Sequence, residues 1–179
     1  MYVGKSVIYF LSSGIRWETA KRKVPLFPKL VFPLYMLIGE YTHTLDEKKR
    51  LSLPAKFRTH LGKKVVVTRG LEGCLFVYSA TEWKKISERL GQLGMGQAAT
   101  RGFTRFLLSG AVESEIDSAG RVLIPDFLKS FARLTNRAIV TGVETRVEVW
   151  NEKAWTLYKS RIEKEADVLA ENLGEIGAI

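Results

Sequence analysis

Two stretches of the sequence decide the fold: residues 39–54, which read GEYTHTLDEKKRLSLP, and residues 110–125, which read GAVESEIDSAGRVLIP. They align without gaps at an offset of 71 residues, and both contain an Asp-x-x-x-Arg segment and end in proline. Further matches follow at offsets of 72 and 73, among them Trp83 with Trp155 and Thr68 with Thr141. The chain therefore contains an internal duplication.

Each copy predicts the order strand, strand, helix, strand, strand. The first strand alternates, with Tyr41, His43 and Leu45 sharing one face in copy one. A polar turn and a short second strand lead to Pro54 or Pro125, which suits the first turn of a helix. The remaining elements are predicted from these residues: a one-turn spacing of Phe57 with Leu61 and of Phe127 with Phe131; turns at 70–73 and 142–145 between the last two strands; helix starts at Ser79 and Asn151; and apolar stripes of Trp83, Ile86 and Leu90, and of Trp155, Tyr158 and Ile162.

Four short strands and one helix cannot close a good core alone, so the two copies are expected to interleave. The predicted fold is α+β, with two tandem β-β-α-β-β repeats forming one pseudo-two-fold, barrel-like domain followed by a C-terminal helix. The predicted divisions are an N-terminal extension at 1–38, repeat 1 at 39–85, a linker with a short helix at 86–110, repeat 2 at 111–157, and a C-terminal helix with an acidic tail at 158–179.

Composition limits the function. The 179 residues carry a formal charge of +9, which favours a polyanionic partner. Residues 1–35 alone hold six basic residues against one acidic residue, and the chain becomes regular from Gly39 onward. Cys74 is the only cysteine and there are two histidines, so a disulfide or a Cys/His zinc site is not expected.

Three segments carry a family resemblance: residues 39–57 (GEYTHTLDEKKRLSLPAKF), 67–78 (VTRGLEGCLFVY) and 109–113 (SGAVE). They closely resemble the MraZ family, over about four fifths of the chain from Met36 onward. Because such proteins normally start at this position, the resemblance implies that residues 1–35 are a disordered addition or precede the true start at Met36. The resemblance implies swapped-hairpin modules like those of AbrB and SpoVT. It also implies a transcriptional regulator of the division and cell-wall gene cluster, including its own operon, that assembles into rings on promoter DNA. A cytoplasmic, nucleoid-associated location follows from that role.

The residues themselves favour binding of double-stranded DNA by the first turn. In each turn the Asp carboxylate, Asp46 or Asp117, can hold the arginine of the same turn in a fixed orientation. Such an arginine suits bidentate contact with guanine or with phosphate. The predicted DNA-binding residues are Arg50, Lys48, Lys49, Lys56, Arg58 and Arg121. The second turn has fewer cations, so a mainly structural or subunit-interface role is expected for it.

Lys49 departs from the family pattern, which has glycine before the first arginine, as copy two does with Gly120. A positive φ at this position would cost a lysine on the order of 1 kcal/mol.

Other functions receive less support. His43 is expected to pack within its strand, and Cys74 is expected to be a small buried hydrophobe and not a nucleophile. We expect no catalytic residues, no cofactor, no metal, no small-molecule substrate and no membrane partner. The alternative to DNA readout is a protein-interaction module, either antitoxin-like or a modulator of a methyltransferase.

Overall fold

The computed structural model describes residues 36–94 and 96–175, and every structural statement below refers to them. The fold in this part of the chain is α+β, as predicted. Along the chain the elements are β1 (Leu37–Thr44), β2 (Arg50–Ser52), α1 (Ala55–Leu61), β3 (Lys64–Arg69), β4 (Leu75–Ser79), α2 (Ala80–Gly91), α3 (Ala98–Leu108), β5 (Val112–Glu115), β6 (Arg121–Leu123), α4 (Asp126–Phe131), β7 (Arg137–Glu144), β8 (Arg146–Asn151) and α5 (Glu152–Glu175). The expectation about residues 1–35 lies outside the described residues.

Strand order confirms that the two copies interleave. The six-stranded antiparallel sheet has the order β1-β7-β8-β4-β3-β5, and β2 pairs with β6 in a separate two-stranded sheet. If each strand of one repeat is exchanged for its counterpart in the other repeat, the same strand order is obtained, read from the opposite edge of the sheet. The fold therefore has a pseudo-two-fold axis between β4 and β8, and each repeat supplies the partner that the other repeat's first strand needs.

Two apolar clusters cover the two faces of the large sheet. One lies beneath β2, β6, α1 and α4 and includes Leu51, Phe57, Val122 and Leu128, each with 0% exposure. The other lies beneath α2, α3 and α5 and is built around Trp150. Each face is therefore closed by elements from both repeats.

The helices that follow β4 and β8 begin where the sequence predicts. The Ser79 hydroxyl accepts a hydrogen bond from the Glu82 N–H at 3.2 Å. The Asn151 side-chain oxygen accepts from the N–H groups of Lys153 and Ala154 at 3.0 and 3.1 Å. Both side chains thus satisfy backbone donors that a helix start leaves without partners.

Phe127 and Phe131 lie one helical turn apart, as predicted, but they are not the buried pair of this segment. Leu128 and Ala132 are the buried residues, at 0% and 2% exposure, whereas Phe127 is 44% exposed. They match Phe57 and Leu61 at the repeat offset, because α4 meets the same core in the same register as α1. The spacing of the two phenylalanines is helical, but it marks a different face of the helix.

The predicted turn at 142–145 was also too long. β7 continues to Glu144, and Thr145 alone separates it from β8. The reason lies in β1, whose Leu37 and Ile38 pair with Glu144 and Val143 and extend the ladder. β1 consequently begins two residues before the predicted start of repeat 1.

Candidate nucleic-acid interface

The two Asp-x-x-x-Arg turns lie side by side where β2 pairs with β6. Leu51 is opposite Val122, and Arg50 is opposite Leu123. Beyond this pairing the backbones bond reciprocally: Leu53 N–H donates to the Gly120 carbonyl at 3.0 Å, and Ile124 N–H donates to the Lys49 carbonyl at 2.9 Å. Each turn thus accepts a hydrogen bond from the residue that directly follows the second strand of the other repeat.

Within each turn the aspartate closes the loop. Asp46 Oδ1 accepts from the Arg50 N–H at 2.9 Å, and the Asp46 carbonyl accepts from the Lys49 N–H at 2.9 Å. In the second turn, Asp117 Oδ1 accepts from the Arg121 N–H at 2.9 Å and from the Ala119 N–H at 3.0 Å. The predicted orienting role of both aspartates therefore has a geometric basis.

The four charged side chains of the turns form one cluster. Arg50 Nε and Nη2 each lie 2.8 Å from Asp46 Oδ2. Arg121 Nε and Nη2 lie 2.9 and 2.8 Å from Asp117 Oδ2. Across the pseudo-axis, Arg50 Nη1 lies 3.6 Å from Asp117 Oδ2, and Arg121 Nη1 lies 3.4 Å from Asp46 Oδ2. Two cations and two carboxylates balance, so the four groups hold each other in place.

These contacts favour the charged form of both carboxylates. The pKa of Asp46 is lowered, first by the hydrogen bond from the Arg50 backbone N–H and then by the Arg50 side chain and the charge of Arg121. The pKa of Asp117 is lowered first by the Arg121 side chain and then by its backbone N–H. Each arginine faces a full negative charge, which fixes its guanidinium through Nε and Nη2. Among the described residues, Nη1 of each arginine has only the longer cross-axis contact, so it is the least firmly held part of the guanidinium.

The backbone at position 49 has the positive φ that suits glycine and disfavours lysine. Lys49 has φ 61°, and its counterpart Gly120 has φ 77°. The Lys49 ammonium lies 2.6 Å from Asp126 Oδ2 at the start of α4. Lys49 is therefore already paired with a carboxylate, unlike the free phosphate contact that the sequence suggested.

The other predicted cations lie in the first turn and on α1, whose start adjoins the second turn. Lys48 in the turn and Lys56 on α1 are exposed, and neither pairs with a carboxylate among the described residues. Arg58 Nε donates to the Leu53 carbonyl at 2.8 Å, and its guanidinium lies directly over Gly120, where a Cβ would collide with it. The structure thus places Arg58 beside the second turn, while Lys48 and Lys56 lie two residues before Arg50 and Arg58 along the chain.

The matching positions of repeat 2 differ in a way that the sequence analysis missed. At the repeat offset, Lys56 corresponds to Phe127 and Ser52 corresponds to Leu123. Phe127 and Leu123 are 44% and 49% exposed. The surface beside the second turn, at Ser52 and Lys56, is therefore polar, whereas the surface beside the first turn, at Leu123 and Phe127, is apolar. Comparing the two copies position by position, outside the core as well as within it, would have revealed this difference.

Other kinds of site receive no support from the geometry. The described residues hold no group of three or more His, Cys, Asp or Glu side chains able to bind a metal ion. Cys74 is buried, and burial raises the pKa of its thiol, which disfavours the reactive thiolate. His43 is half-buried, and burial lowers the pKa of its imidazole. None of the described helices combines the length and apolar character needed to cross a bilayer.

Comparisons with known proteins agree with the duplicated architecture. The family model "MraZ protein, putative antitoxin-like" matches residues 36–106 and again residues 107–173. A protein of Caldanaerobacter subterraneus subsp. tengcongensis named "Transcriptional regulator MraZ" is 48% identical over 138 residues, covering 77% of this chain and 96% of the relative. Proteins of the same name from Thermoanaerobacter sp. (strain X514) and Desulforamulus reducens are 47% and 43% identical over 141 residues, each covering 79% of this chain and 99% of the relative.

Proposed function

Because the chain belongs to the MraZ family, we propose that it is a transcriptional regulator that binds double-stranded DNA through the face where its two Asp-x-x-x-Arg turns meet. The observation that carries this proposal is the cluster of Arg50, Asp46, Arg121 and Asp117, with nearby cations that have no carboxylate partner within the described part of the chain. A rigid, partly neutralised arginine pair beside free lysines is suited to a polyanion that also presents hydrogen-bond acceptors.

The lysines and the arginines would contact different parts of the DNA. Lys48 and Lys56 would neutralise phosphates and so supply affinity that falls as salt rises. Arg50, held by Asp46 on its Nε side, would present its far end to the O6 and N7 acceptors of guanine in the major groove. Arg121 is held in the same way, but its own turn has Ala119 where the first turn has Lys48, so it would contribute less to DNA binding.

The finer biological role extends the same proposal. The named relatives are transcriptional regulators, which supports a role at promoters. We propose control of the chain's own operon within the division and cell-wall gene cluster, by an oligomeric ring at the nucleoid that engages repeated sites. One short hairpin gives too little contact for tight specific binding, so several copies acting together would supply the missing affinity.

A second candidate is a protein-interaction module without direct base readout. The exposed Phe127 and Leu123 surface favours it, because large apolar side chains outside the core often mark protein interfaces. It also agrees with the antitoxin-like description of the family model.

The test of the proposal is Arg50→Lys, which keeps the positive charge between the two carboxylates but removes the planar guanidinium. The readout is the ratio of affinities for upstream DNA of the operon and for scrambled DNA. We expect the ratio to fall by about tenfold or more, since one bidentate pair contributes ~1–3 kcal/mol of discrimination. Arg121→Lys is the matched control and should change the ratio less. An unchanged ratio in Arg50→Lys would exclude this arginine from sequence readout.

Lys56→Ala tests the phosphate contact separately. We expect weaker binding to both DNAs by a similar factor and a salt dependence that is shallower by about one unit of slope. Lys153→Ala is its control, since Lys153 is equally exposed but lies on α5, across the sheet from α1. Equal salt slopes for the two variants would contradict the proposed contact.

A further inference from the structure

The last helix is longer than the sheet it covers. Trp155, Tyr158 and Ile162 of α5 share one helical face, and Trp155 and Tyr158 pack against the Trp150 cluster. The same face continues with Ala166, Leu169 and Leu173, spaced by three or four residues. Every residue from Glu163 to Glu175 is exposed, with Leu169 and Leu173 at 40% and 43%. The apolar stripe therefore extends beyond its own core, and none of the residues that the structure describes covers it.

A second apolar surface surrounds Arg69, the last residue of β3. Arg69 has its guanidinium carbon 5.9 Å from the ring centroids of Phe106, Phe127 and Phe131. Its hydrogen bonds are long, at 3.5 Å to the Phe106 carbonyl and 3.4 Å to the Ser109 hydroxyl. It pairs with no carboxylate among residues 36–94 and 96–175. We call these four residues the aromatic patch: a cation surrounded by rings, with most of its donors unused.

The core does not require Phe127. Its counterpart in repeat 1 is Lys56, although both helices bury matching residues against the same cluster. Phe131 is half-buried and packs against that cluster, whereas Phe127 is 44% exposed. The exposure of Phe127 is explained if another surface covers it.

The two features are complementary in chemistry. From Arg161 onward the tail of α5 holds five acidic residues against two basic ones, and Glu165 flanks the apolar stripe one turn before Leu169. A carboxylate beside leucines fits a guanidinium surrounded by rings, since it can use the free donors of Arg69 while the leucines cover the phenylalanines. The described part of the chain leaves the tail exposed, so a second copy of the chain can supply this partner.

We propose that the tail of α5 from one copy of this chain docks on the aromatic patch of the next copy. Each copy then has one tail and one patch, so the contact is head-to-tail. Such an interface gives a ring when the rotation between copies closes, and a filament when it does not. This inference extends the oligomer in the proposed function but does not depend on DNA binding.

The test uses disulfide formation between introduced cysteines, because the native Cys74 is buried and does not compete. A chain carrying both Leu169→Cys and Phe127→Cys is oxidised gently and run on a denaturing gel without reductant. We expect a ladder of linked species beyond two chains, since each copy would form two links. Each single variant should give no ladder. Leu157→Cys combined with Phe127→Cys is the control, because Leu157 is 74% exposed but lies off the stripe.

Three outcomes would overturn the proposal. Pairs of Leu169→Cys chains alone would show that tails pair with tails. A double variant that links only within one chain, or not at all, would show that tail and patch do not meet between copies. An equal ladder in the Leu157→Cys control would show that the links arise from random collision.

The mass of the assembly separates this inference from the proposed oligomer. Leu169→Asp should reduce the native particle to single chains, whereas Val168→Asp, on a neighbouring but different face, should leave it intact. If the unmodified chain is itself a single copy, both the oligomer and this interface are wrong. If the Leu169→Asp particle keeps its full mass, the oligomer stands and only this interface is wrong.

Discussion

At the scale of single residues, Lys49 occupies a conformation that disfavours its side chain. Its φ of 61° lies in the left-handed region, where glycine has no penalty and other residues cost ~1 kcal/mol. The ion pair with Asp126 offsets part of that cost, although an exposed pair contributes only ~0–1 kcal/mol. This chain therefore carries a cation close to Arg50 in spite of the conformation at that position.

Two substitutions at position 49 separate these effects. Lys49→Ala keeps the unfavourable φ and loses the ion pair, whereas Lys49→Gly loses the ion pair and relieves the backbone. We expect Lys49→Gly to be more stable than Lys49→Ala by about 1 kcal/mol. Urea unfolding of both variants measures the difference. Equal stabilities would mean that the turn adopts another conformation in solution.

At the scale of elements, the sequence predicts most of the structure because the duplication supplies each element twice. Ser79 and Asn151 cap helices at matching positions, and each gives independent support to the other prediction. The errors occurred where the copies meet. Nothing local in Gly142 shows that it lies opposite Gly39 in another repeat's strand, so its glycine suggested a turn.

The candidate site was predictable as a set of residues but not as an arrangement. The Asp-x-x-x-Arg spacing predicts the contact of Arg50 with Asp46 within one turn. The cross-axis contact of Arg50 with Asp117 depends on β2 pairing with β6, which joins positions about 70 residues apart. Sequence spacing carries no information about such a contact until the topology is known.

Gly142 provides a test of the strand pairing. A Cβ at this position would collide with the backbone of Leu37 and Ile38 in β1. We therefore expect Gly142→Ala to lower the free energy of unfolding by ~1–3 kcal/mol, as overpacking does elsewhere. Gly91→Ala is the matched control, because a Cβ at the end of α2 meets no atom within 4 Å and should be neutral or stabilising. Equal effects of the two substitutions would argue against the extended pairing of β1 with β7.

At the scale of the whole molecule, the four-charge cluster links the repeats and makes the free energy of unfolding depend on pH. The pKa values of Asp46 and Asp117 are lower in the folded chain than their ordinary value of about 3.9. As pH falls below that value, the unfolded chain therefore takes up protons first. The stabilisation is complete above about pH 4 and is lost as pH falls through the folded pKa values.

The double variant Asp46→Asn/Asp117→Asn tests this linkage. It should be less stable than the native chain at neutral pH, and its unfolding midpoint in urea should change less between pH 5 and pH 2. Glu40, whose pKa is lowered by Lys159, contributes equally to both proteins and cancels in the comparison. Parallel pH profiles would show that the cluster does not contribute to acid sensitivity.

The strand order is symmetric, but the side chains make the two ends of the folded domain different. Two separate copies of one repeat in the same arrangement would be identical, and any surface they offered to DNA would carry an exact dyad. Covalent linkage removes that constraint, and position 56 is now a lysine where position 127 is a phenylalanine. The domain therefore has distinguishable ends although its backbone is nearly symmetric. A nucleic-acid sequence bound by this domain need not be palindromic, and successive copies of the domain along such a sequence would all have the same orientation.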